Sequence, residues 1–360
     1  MDPVIETVDL GFPWTGLDPF IFTVHHVDHY PAGNEELGPP RADLAGRRMG
    51  ADFSYRDGWS MYHGSAVPGF PQHPHRGFET VTVVRRGYVD HSDSLGATAR
   101  YGQGDVQWLT TGSGIMHAEM FPLIARDHDN PLELFQIWLN LPPESKMVDA
   151  YFGMLWGEDI PTIAPAEGVS VDVIAGPVDG HAPPSPPPDS WGSHPEGELA
   201  IWLVRLAPGA RWTLPEAPGD VNRMLHCFLG DDVAVGTTSV GAATGVRTRP
   251  DVPTTVANHG TGDAEILVLQ GRPIGAPVFQ MGPFVMNSAE ELQRAYADFR
   301  RTQFGGWPWD RVDPVHDRSQ GRFAIHADGR REERDLKLAL SRDSWIGPDP
   351  SASERPGSRP

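Results

Sequence analysis

Two short dyads hold the side chains of this sequence best suited to chemistry. His73-Pro74-His75 sets two imidazoles two residues apart. On a strand or extended segment such residues project to one side and can face one cation. His117-Ala118-Glu119 does the same with an imidazole and a carboxylate, and Glu79, four residues beyond His75, keeps its parity. Three imidazoles and a carboxylate suit a divalent first-row metal such as Fe, Mn, Ni, Cu or Zn, and four protein ligands leave about two positions open in octahedral geometry. Substrate and dioxygen could occupy those positions together. A structural zinc site would instead be closed and often rich in thiolate, and Cys227 is the single cysteine. Parity alone does not choose between Glu79 and Glu119.

Short strands must position these residues. ETVTVVR, residues 79–85, is rich in β-branched side chains and runs into Gly87. Residues 106–109 and 132–139 read as further strands, with glycine turns at Gly102, Gly104, Gly112 and Gly114 between them. No stretch of this first block keeps a helical period. A second β-rich block runs from about Val171 to Met286, with strands at 201–206, 224–229 and 264–269. Its rhythm matches the first, which suggests a weak internal duplication. The proline-rich stretch between Gly176 and Glu198 reads as an extended linker or surface loop. Residues 288–301 form the clear helix: Ser288 and Glu291 fit a capping box, and Leu292, Ala295, Tyr296 and Phe299 form an apolar stripe. After Trp309 the chain turns polar, and its end, from Gly347, reads as disordered.

Composition agrees with an all-β reading. Among 360 residues there are 40 glycines and 36 prolines, a content suited to many turns and a sandwich or barrel. The formal charge of −19 repels phosphate backbones and anionic lipid, so direct nucleic-acid binding is not expected. There is no apolar run of membrane-spanning length and no basic, apolar leader. The sequence therefore reads as that of a soluble, cytoplasmic protein. His25, His26, His29, His63, His91 and His128 read as surface, capping or supporting groups, while His226 and His259 stand alone in the second block.

The stretch HPHRGFETVT, residues 73–82, resembles the signature of the pirin family within the cupin superfamily. HSDSLG at 91–96, GDVQW at 104–108 and GIMHAE at 114–119 follow in the same order, and GPFVMN at 282–287 resembles the pirin C-terminal domain. The resemblance runs from about Leu17 to Trp309. It implies a bicupin of two antiparallel β-barrels with a C-terminal helix and a disordered tail. The corresponding division is a metal-binding barrel over 1–170, a barrel without a metal over 171–286, a helix and aromatic segment over 287–310, and a polar tail over 311–360. The implied ligands are His73, His75, His117 and Glu119, with iron, as Fe(II), the usual metal. Glu79 would be the ligand in the general cupin pattern and becomes a buried supporting carboxylate in the pirin one. Gly275-Ala276-Pro277, where pirins commonly place an acidic residue, and the long tail depart from the family.

Two functions follow from the resemblance. The first is a quercetinase-type dioxygenase that opens a flavonol ring with dioxygen and releases carbon monoxide, with Glu119 as the base. Phe70, Phe78, Trp108, Met116 and Phe121 are the nearby candidates for lining an aromatic pocket. The second is a redox-responsive interaction protein, a monomer that modulates a transcription regulator or a metabolic enzyme, with the acidic charge favouring a basic protein partner.

Overall fold

The structure, a computed structural model, describes residues 2–336. Its first unit faces two six-stranded sheets towards each other. One has the order Tyr151–Leu155, Val106–Thr110, Phe78–Arg86, Asn130–Asn140, Phe20–Tyr30, Trp14–Thr15; the other runs Arg331–Arg334, Arg322–Ile325, Thr98–Gly102, Tyr88–Asp93, Ile115–Met120, Gly69–His75. Named strands pair antiparallel throughout. Tyr30, Val84, Leu109, Leu134, Ile115 and Ala99 belong to the core between these two sheets.

The second unit places a seven-stranded sheet against a four-stranded one. Val171, Trp202, Leu225, Val246, Ile266 and Trp212 belong to its interior. The first sheet of the first unit packs back to back on the seven-stranded sheet, so its central strands are buried on both faces. Along Phe78–Arg86, Val81 and Val83 face the junction while Val84 faces the first core, the period-2 alternation of a strand. The junction core also takes Trp108, Phe135 and Ile137 from one side and Ile201, Phe228 and Leu267 from the other.

Strand pairing crosses the domain lines drawn from sequence. Val4–Asp9 pairs with Thr244–Thr248 in the second unit. The strand Val169–Ala175 begins just before the expected boundary at 170. The described part of the polar stretch after 310 returns to the first unit, where Phe323 pairs with Arg100 and Ile325 with Thr98. Its polarity is that of buried ion pairs: Arg322 is 2% exposed and meets Asp105 at 2.7 Å. The segment expected to be disordered lies outside the described residues.

The helix Ala289–Thr302 is capped by Ser288, whose Oγ accepts from the Glu291 amide, and Leu292 and Ala295 are buried. Glu291 accepts from the Asn287 amide at 2.8 Å, one residue earlier than a capping box would reach. The proline-rich stretch is fastened to the body: Ser190 is fully buried and donates to Glu79 Oε2 at 2.6 Å. Among the described residues no helix is long and apolar enough to cross a membrane.

Candidate metal centre

The strand Gly69–His75 forms the edge of its sheet and pairs with Ile115–Met120, opposing His73 to His117. An irregularity between Phe70 and His73 re-aims the end of the strand, a common device beside functional sites. The result brings His73, His75 and His117 together, with their ligating nitrogens all within 4.8 Å of one another. Ring centroids lie 4.4 Å apart for His73 and His117, 4.8 Å for His73 and His75, and 4.9 Å for His75 and His117.

Hydrogen bonds set the orientation of two rings. His73 Nδ1 lies 2.9 Å from the Pro71 carbonyl and His75 Nδ1 3.4 Å from the Pro283 carbonyl. A carbonyl only accepts, so each Nδ1 carries the proton and each Nε2 keeps its lone pair. Burial lowers the pKa of His73 to about 4. Burial first, then neighbouring imidazoles, push His75 and His117 well below the usual histidine range. All three rings are thus neutral near pH 7, the form that ligates metal.

His117 decides whether a metal fits. It is fully buried, and neither ring nitrogen has a hydrogen-bond partner. Burying an imidazole unpaired costs about 1–3 kcal/mol. A cation on its lone pair removes that penalty at one nitrogen, so the donor set fits a divalent metal.

Glu119 stands beside this trio, outside the tight cluster. Its Oε2 lies 3.8 Å from His117 Nε2. Gln136 Nε2 donates to it at 2.8 Å and Thr82 Oγ1 at 3.2 Å. Burial raises its pKa, against the pull of His91, Gln136 and Thr82. Glu79 lies elsewhere. It follows Phe78, whose ring touches His75 at 5.1 Å, so its side chain leaves by the opposite face of the strand. There it accepts from Thr110 at 2.6 Å and from Ser190, and burial pushes its pKa up to about 7.

The aromatic candidates separate. Phe78 and Phe70 lie near the histidines, Phe70 at 6.3 Å from His73. Trp108 is in the junction core, Met116 packs under the C-terminal helix and Phe121 fills the first core. Two neighbours were missed. Trp138 lies 5.3 Å from His75 and 4.0 Å from Phe78, and Phe22 lies 4.3 Å from Trp138. The alternation Gln136-Ile137-Trp138 was the available signal, since it puts Trp138 on the same face as Gln136. His91, expected to be a surface, capping or supporting group, is fully buried with Nε2 3.0 Å from Asp93 Oδ2 and its ring 5.6 Å from His117. His226 is buried in the second unit, stacked on Trp14 at 5.2 Å.

The C-terminal segment reaches this centre. Arg76, next to His75, donates to Asp298 of the helix at 3.0 Å and to the Ser113 carbonyl at 2.7 Å. The Val285 amide donates to the Arg76 carbonyl at 3.0 Å. Lys146 donates to the Gly77 carbonyl at 2.7 Å and to Val285 at 3.2 Å. A Cβ on Gly114 would fall 2.6 Å from the Phe304 ring, so only glycine lets this segment close on the metal strands.

Two stacked β units, the first carrying a histidine trio on two paired strands, define a bicupin. Residues 17–139 match the pirin family and residues 201–305 match the pirin C-terminal cupin domain, and the chain belongs to the pirin family. Human pirin is 34% identical over 261 residues, covering 68% of this chain and 80% of that protein. A Pseudomonas aeruginosa protein provisionally named a quercetin 2,3-dioxygenase is 38% identical over 237 residues, covering 66% of this chain and 79% of that one. The crystal structure of quercetin 2,3-dioxygenase from Acinetobacter baumannii superposes with a TM-score of 0.68 at 27% identity, covering 85% of this chain and 99% of that one.

Proposed function

We propose that the chain is a quercetinase-type dioxygenase whose metal, Fe(II) by preference, is held by His73, His75, His117 and Glu119. The observation that carries this reading is the unpaired, fully buried His117 within a neutral histidine trio. A divalent ion bound there would lower the pKa of a coordinating flavonol hydroxyl and offer open positions to dioxygen. Glu119 receives the hydroxyl proton, since its carboxylate stands at the edge of the histidine trio, 3.8 Å from His117 Nε2. Gln136 and Thr82 hold that carboxylate in place. Trp138, Phe22 and Phe70 are partly exposed and supply flat apolar surface for an aromatic substrate. Dioxygen uptake and carbon monoxide release with quercetin and the iron-loaded protein test the proposal. Stoichiometric uptake and release support it, and no turnover across a panel of flavonols and catechols sinks it.

A second reading, a metal-dependent interaction protein, has one specific support. Val278, Phe279 and Met281 are exposed apolar residues, and Pro283, two residues beyond Met281, contacts His75. A change at the metal would thus reach an apolar hairpin suited to a protein partner.

A further inference from the structure

Five arginines are buried among the described residues, and four have a carboxylate partner. Arg47 meets Asp52, Arg76 meets Asp298, Arg100 meets Asp90 and Arg322 meets Asp105. Arg223, 1% exposed, is the exception. Its Nε donates to Gln270 Oε1 at 2.7 Å and its Nη2 to the Pro215 carbonyl at 2.6 Å, while Nη1 has no acceptor. A guanidinium does not shed its proton to escape burial, and a buried charge without a counter-charge is among the most costly arrangements a fold can hold.

A second unsatisfied donor faces it. Thr248 is the cross-strand partner of Arg223, is 1% exposed, and its Oγ1 also lacks a partner. Residues directly opposed on antiparallel strands have Cβ atoms about 5 Å apart. Arg223 shares its strand face with Leu225 and Cys227, which belong to the interior of the second unit. Both residues therefore belong to one end of that interior, beneath the segment that follows Leu214.

We propose that the second unit holds a small monovalent anion, a halide or the single oxygen of a short carboxylate, between Arg223 Nη1 and Thr248 Oγ1. The geometry sets the class. Nε and one of the two Nη2 hydrogens are already committed, so the side-on fork that favours phosphate or sulfate is not available. Nη1, the guanidinium nitrogen left without an acceptor, and the Thr248 hydroxyl suit a monatomic or one-oxygen acceptor, and a single buried positive charge suits a monovalent one. The unit that offers no histidine pair would thus carry an anion where its partner unit is read as carrying a cation. The two sites rest on different residues and stand or fall separately.

The test uses the full-length protein exchanged into sulfate buffer of constant ionic strength. Replacing sulfate by chloride, bromide or formate should raise the melting temperature in a saturable way, as binding to the native state requires. A bromide-soaked crystal should give an anomalous peak between Arg223 and Thr248. Thr248→Val should weaken the apparent anion affinity by about tenfold, and Arg223→Met should abolish both the saturation and the peak. Should Arg223→Met fail to fold, Thr248→Val alone still decides. No saturable stabilisation, an unchanged affinity in Thr248→Val, or only an ordered water at that position would overturn the proposal.

Discussion

Glu133→Gln should destabilise the protein at neutral pH and be nearly silent in acid. Glu133 lies at the junction of the two units, 7% exposed. It accepts from Arg85 and lies 3.2 Å from His25 Nε2, while Arg85 also meets Glu265 of the second unit at 2.7 Å. Burial alone would raise its pKa, but Arg85 and then His25 outweigh it and hold the carboxyl at about 2, against an ordinary 4.5. At about 1.4 kcal/mol per pH unit, that difference corresponds to roughly 3 kcal/mol. The folded pKa is depressed, so this stability is present above about pH 4.5 and is lost as pH falls towards 2. Removing the carboxylate also leaves Arg85 with one acidic partner fewer, a loss of similar size for buried pairs, about 3–5 kcal/mol. Denaturant unfolding of wild type and variant at about pH 7 and pH 2.5 checks this. The gap should be about 3 kcal/mol at the higher pH and shrink below about 1 kcal/mol at the lower. An equal gap at both values, or none at pH 7, would refute the reasoning.

Other consequences are as direct. Asp298→Ala removes the half-exposed partner of Arg76 and should lower metal affinity about tenfold, the lower end of what outlying supports of metal ligands are worth; competitive chelator titration reads it, and Asp298→Glu should restore most of the loss. Trp138→Ala should raise KM for quercetin at least severalfold with metal content unchanged, because Trp138 flanks His75 without ligating; loss of metal in that variant would place the residue in the wrong role. Gly114→Ala should cost several kcal/mol in denaturant melts, since its Cβ would meet the Phe304 ring at 2.6 Å and its φ is +130°.

The histidine trio was legible because its signal is local. Parity puts His73 with His75 and His117 with Glu119, and one antiparallel register then unites the pairs. The choice between Glu79 and Glu119 was not local. It depends on which face of the Phe78–Arg86 strand meets the second unit, and that is set by Ser190 and the junction core. Trp138 and Phe22 escaped notice for a similar reason: each alternates correctly on its own strand, but only sheet order brings their rings within 4.3 Å. Polar sequence misled at Arg322, where charge marks a buried pair with Asp105. The pairing of Val4–Asp9 with Thr244–Thr248 spans most of the chain, and no pattern within either segment announces it.

Elemental analysis of matched variants addresses the metal centre most directly. Wild type and Glu79→Gln should each retain roughly one divalent ion per chain, while His75→Ala, His117→Ala and Glu119→Ala lose it. Full retention in His117→Ala, or loss confined to Glu79→Gln, would contradict the assignment of the centre to the three histidines and Glu119.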